Sequence, residues 1–157
     1  MVKQGPLQGF LFFVLTFLDY RLLLQKNLLR RPYLHLFAAI SWFIISVILL
    51  TLPGTAFPQE DWLDKIWFDK WVHIGMFGVM VILWCLAIRS LKKNSDGVRL
   101  RRLFFIVALC ALGYGILMEF LQAGFIPFRS FDIGDIVADA VGSAAGLIFS
   151  TMRYIKK

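Results

Sequence analysis

YLHLFAAISWFIISVILLTL, residues 33–52, runs for twenty positions without an Asp, Glu, Lys or Arg. A helix rises ~1.5 Å per residue, so this stretch matches the ~30 Å hydrocarbon core of a bilayer. Residues 71–88, 103–121 and 133–152 are apolar stretches of similar length, and only the last carries acids well inside it. At hydrocarbon depth no water satisfies backbone N–H and C=O groups, so each stretch must be helical. The sequence therefore predicts an all-α polytopic membrane protein built as a bundle of four transmembrane helices. Pro53-Gly54 ends the first span, and Lys92-Lys93-Asn94-Ser95-Asp96-Gly97 separates the second from the third. Residues 123–131, containing Pro127, are expected to turn the third into the fourth.

Composition agrees. Of 157 residues, 59% are hydrophobic and 17% charged, and the mean hydropathy is +0.73. A soluble domain averages about 45–50% apolar and about 25% charged residues, and one this small cannot bury such an excess. Cys85 and Cys110 lie inside apolar runs with no ligand-like spacing and read as small buried residues. The net charge of +7 would suggest nucleic acid in a soluble protein. Here the basic residues lie between apolar runs, so they read as orientation signals and as attraction for lipid headgroups, with no nucleic-acid partner.

Residues 1–32 read as an N-terminal cytoplasmic or interfacial segment and residues 33–157 as the transmembrane domain. Residues 7–18 are apolar but short, followed at once by Asp19 and Arg21, and lack a small-residue cleavage signature. Residues 5–28 are expected to form an amphipathic helix in the interface, with a short or re-entrant span as the alternative.

Charge sets the expected orientation. Five basic residues precede the first span, six lie between the second and third, and three follow the fourth. Only Lys65, Lys70 and Arg129 fall on the other side. The positive-inside rule puts both termini in the cytoplasm. Eight of the ten acids, Glu60, Asp61, Asp64, Asp69, Glu119, Asp132, Asp135 and Asp139, sort to the outer side. Carboxylates contribute little to orientation, so their asymmetry needs another cause.

Helical spacing gathers many of these groups. Asp69 and His73 are four apart and share a face, as do Glu119 and Gln122, three apart, with Gly115 continuing inward. Asp132, Asp135 and Asp139 form a stripe that Gly142 and Gly146 extend. The two glycines bracket a small-xxx-small motif, which lets a neighbouring backbone approach and turns the acids into the bundle. Asp139 lies roughly 10 Å below the start of its span, where a lone charge costs several kcal/mol. It needs a partner, with His73, Lys70 and Arg129 as candidates, or a proton, a metal ion or water. The bland alternative is that these groups only hydrogen-bond across helices and order the bundle. One His among several Asp residues, with no HExxH motif, leaves any metal or cofactor unassigned. His35, near the cytoplasmic end of the first span, reads as interfacial.

The order and spacing of several motifs resemble the VanZ-like family. They are Thr51-Leu52-Pro53-Gly54, Asp69-Lys70-x-x-His73, Gly113-Tyr114-Gly115, Glu119-x-x-Gln122, and Arg129-x-x-Asp132-x-x-Asp135 ending in Gly142 and Gly146. The resemblance covers roughly residues 45–150. Asp139 departs from it, standing where the family usually has Asn. The resemblance implies a small bacterial membrane protein of the cell envelope, in a family whose founding member is associated with low-level resistance to the lipoglycopeptide teicoplanin.

Two functional readings follow. In a binding protein, Lys70 and Arg129 would contact phosphate, while Gln122, Asp132, Asp135 and Asp139 would complete an outer-leaflet pocket for a lipid-linked cell-wall precursor or a lipoglycopeptide. In an intramembrane enzyme, Asp69 or His73 would serve as general base and Glu119 as acid, with Asp132 and Asp135 holding a metal. An ion carrier is disfavoured, since ionisable residues occupy one half of the spans only. Membrane lipids are expected partners, and an exposed small-residue face would be the route to a homo-oligomer.

Overall fold

The computed structural model describes residues 32–53, 55 and 67–155. The N-terminal amphipathic helix expected over residues 5–28 lies outside the described residues. The described chain is helical, with no strand: α1 spans Pro32–Thr51, α2 Phe68–Leu91, α3 Gly97–Phe125 and α4 Ile133–Tyr154. All four are long and apolar enough to cross a membrane, which makes this a multi-pass helical membrane protein.

The helix ends follow from local chemistry. α1 stops two residues before Pro53, and Thr51 Oγ1 donates back to the Val47 carbonyl at 2.8 Å. α3 starts six residues before the apolar run because Asp96 caps it, its carboxylate accepting the Arg99 N–H at 2.7 Å. Hydropathy alone misses this polar first turn. The turn expected from residue 123 begins later, because Ala123, Gly124 and Phe125 are still helical. Pro127 is the first breaker, and it drives Ile126 to an extended φ of −100° and ψ of 122°. Phe128 then takes a left-handed φ of 60° to reverse the chain.

α2 and α4 run parallel and share the most extensive interface. Lys70 meets Asp135 near their starts, and Arg89 Nε donates to the Tyr154 carbonyl at their ends, at 3.2 Å. Between these points the backbones nearly touch. A Cβ on Gly146 would sit 2.6 Å from the Gly78 carbonyl oxygen, and one on Gly142 would run into the Ile74 carbonyl. The Gly142–Gly146 face is thus consumed inside the bundle, against the backbone of α2.

α1 is the least buried helix. It runs antiparallel to α2 and parallel to α3, held by hydrogen bonds at four heights. His35 Nδ1 lies 2.6 Å from Ser90 Oγ, Trp42 Nε1 donates to the Met76 carbonyl at 3.0 Å, Ser46 Oγ lies 3.2 Å from Tyr114 Oη, and Gln122 Nε2 donates to the Leu50 carbonyl at 2.8 Å. Phe77, Val81, Cys85 and Phe104 are fully buried in the core. Cys110, expected inside, lies on the outer surface. α3 is apolar on every side, so hydropathy does not mark its inward face.

Candidate functional site

The end of the bundle where α2 and α4 begin and α3 finishes carries the polar cluster. Lys70, in the first turn of α2, is its hub. Its Nζ donates to Asp69 Oδ2 at 2.9 Å, to Asp135 Oδ1 at 2.7 Å and, closely, to Asp132 Oδ2. Three ammonium protons meet three carboxylates, so the donor is fully used. Asp69, Asp132 and Asp135 each present an oxygen within 4.8 Å of the others, a spacing that would also suit a metal ion. Here the lysine ammonium supplies the positive charge.

One turn deeper, His73 Nδ1 lies 2.8 Å from Asp139 Oδ1, and both residues are buried. Asp139 thus finds the first of its candidate partners, while Lys70 is engaged one layer above. His73 Nε2 faces Asp135 Oδ2 at 3.9 Å, an ion-pair distance beyond hydrogen bonding. Gly115 of α3 makes room for Asp139. A Cβ there would lie 3.0 Å from both Asp139 Cγ and Phe77 Cε1. The Phe77 ring lies nearly parallel to His73, with centroids 6.4 Å apart, and stacks on Tyr114 at 5.8 Å.

Glu119 and Gln122 share a face, as their spacing requires, but part company at their tips. Glu119, 1% exposed, accepts the Asp132 backbone N–H at 2.9 Å and ties α3 to the start of α4. Gln122, equally buried, ties α3 to α1. Both satisfy backbone groups that helix ends leave open. Arg129 lies half-buried in the connection between α3 and α4. Sequence reasoning missed Ser46 and Phe77 as neighbours of this site. Phe77 continues the 69, 73 spacing by one more turn, and Ser46 is a polar residue in the middle of an apolar span, so both left a signal.

Asp132 does three jobs. It caps α4, with Oδ1 accepting the Gly134 N–H at 2.6 Å; it pairs with Lys70; and its own N–H serves Glu119. The Lys70 ammonium beside it holds its carboxyl below the ordinary value of 3.8. A depressed carboxylate stabilises the fold above its unfolded pKa and loses that contribution as pH falls through the folded one. Asp132→Asn keeps the cap and removes the charge. We expect wild type to melt above this variant in detergent at about pH 6, and the gap to close below about pH 4. The Asp132 side chain is 46% exposed, so screening keeps the difference under about 1 kcal/mol. A gap that persists in acid would remove the ion pair as its cause.

Five carboxylates, Asp69, Asp132, Asp135, Asp139 and Glu119, stand against Lys70, His73 and Arg129. Among the described residues the acids of this end therefore outnumber the bases, a balance that protons or a cationic group would redress. The Asp139 contact orients His73 through Nδ1 and leaves Nε2 as the ring position able to exchange a proton. Compared with known proteins, the chain matches no family model, no curated protein and no solved structure.

Proposed function

We propose that this chain is a VanZ-like protein of the bacterial cytoplasmic membrane that engages the polar head of a cell-envelope ligand and contributes to tolerance of teicoplanin-type lipoglycopeptides. The observation that carries this reading is the meeting of Lys70 with Asp69, Asp132 and Asp135 above the His73–Asp139 pair. Residues from separate helices converge there, although desolvating so many ionisable groups is costly. A bundle needing only helix packing has the cheaper glycine stripe available. Arg89, Lys92, Lys93, Arg99, Arg101, Arg102 and Arg153 gather at the opposite end. By the positive-inside rule that end is cytoplasmic, both termini are inside, and the cluster opens to the outer leaflet.

The test is a substitution scan in a host with a glycopeptide-susceptibility readout and membrane levels measured in parallel. Arg129→Ala and Asp135→Asn are expected to return the host to the susceptibility of cells lacking the protein while inserting normally. Undiminished tolerance in both overturns the reading.

One observation favours a second reading. The His73–Asp139 contact matches the base-and-orienter arrangement of hydrolytic sites. An intramembrane enzyme acting on a lipid-linked precursor would use His73 Nε2 as the base. Glu119, committed to a backbone N–H, is poorly disposed to act as the acid. Product formation from lipid-linked precursors, followed by mass spectrometry with and without chelator, separates the two readings.

A further inference from the structure

A gap of about 300 Å³ lies between α1, α2 and α3, away from the polar cluster. Phe43, Trp84, Ile106, Cys110, Ala111 and Tyr114 are among its walls. The one hydroxyl among the described lining residues, Tyr114 Oη, is already engaged by Ser46 at 3.2 Å. Water placed there would find too few partners to remain. An empty gap would forfeit the dispersion contacts that its walls could make. Hydrocarbon would make those contacts without needing a polar partner.

The mouth says where that hydrocarbon comes from. Phe43, Ile106 and Cys110 lie on the outer surface of the bundle. Phe43 is the twelfth of the twenty α1 residues and Cys110 the fourteenth of the twenty-nine in α3, so the opening sits at mid-height, level with lipid chains. The gap is continuous with the lipid-facing surface of the helices. It also lies beneath α1, the helix that reaches the bundle through hydrogen bonds at His35, Trp42, Ser46 and Leu50.

We infer that a phospholipid acyl chain from the surrounding bilayer occupies this gap as a resident part of the bundle, packing α1 against α2 and α3. The inference is independent of the proposed envelope function.

Trp84 reports on the occupant. The full chain is reconstituted into bilayers of phospholipid with brominated acyl chains, and the emission of Trp84 is taken as the difference between wild type and Trp84→Phe. Wild type is expected to lose at least half of that emission relative to unbrominated lipid. Ala111→Phe projects a ring into the gap and is expected to recover most of it. Ala111→Leu provides the same comparison with a smaller side chain, with helix content by circular dichroism confirming that each variant folds. Unquenched Trp84 in wild type overturns the inference, because the gap is then closed or filled by protein. Equal quenching in wild type and the folded Ala111 variants also overturns it, because Trp84 then meets only ordinary boundary lipid.

Discussion

Lys70→Met should destabilise the bundle by about 3 kcal/mol, read as a lower melting temperature in detergent. The loss comes less from the missing attraction than from what is left behind. Asp135 is buried and accepts from Lys70 Nζ at 2.7 Å; His73 Nε2 is 3.9 Å away. Asp69 and Asp132 are more exposed and can turn to water, so the cost concentrates on Asp135. That location gives the prediction its check. Asp135→Asn in the Lys70→Met background removes the stranded charge and should recover part of the loss, and a double-mutant cycle measures how much. If the losses simply add, the cluster is not held by this pair.

Gly142→Ala should cost about 1–3 kcal/mol, because the added methyl collides with the Ile74 main chain and two packed helices must move apart. Backbone cannot rotate away as a flexible side chain can. Gly113 supplies the contrast on the neighbouring helix. A Cβ there meets nothing within 4 Å, so Gly113→Ala should be neutral or stabilise by up to about 1 kcal/mol through helix propensity. Thermal melts of the two variants side by side separate packing from propensity. Equal melting temperatures would mean that the α2–α4 approach does not limit stability.

The four helices were legible because the bilayer imposes a length, and a charge-free twenty-residue run such as residues 33–52 has few other uses. The stripe on α4 was legible for a related reason: acids and glycines at spacings of three and four can only share a face. The choice of partners was not legible. Nothing in the spacing says that Lys70 takes three carboxylates while Asp139 takes His73, because that depends on how far each helix slides along its neighbour. The roles of Glu119 and Gln122 were hidden similarly, since their partners are the Asp132 amide and the Leu50 carbonyl, groups that every residue carries. The middles of α2 and α3 are apolar all round, so Cys85 and Cys110 looked alike, and one is in the core while the other lies on the outer surface.

The stack of Phe77 beneath His73 has a consequence for traffic. Asp139 is the deepest carboxylate of the cluster, and directly below it the fully buried Phe77 ring is followed by Met80, Val81 and Cys85. Along α2 no ionisable side chain follows His73 until Cys85, so the charge gathered in the cluster is confined to one end of the bundle on that helix.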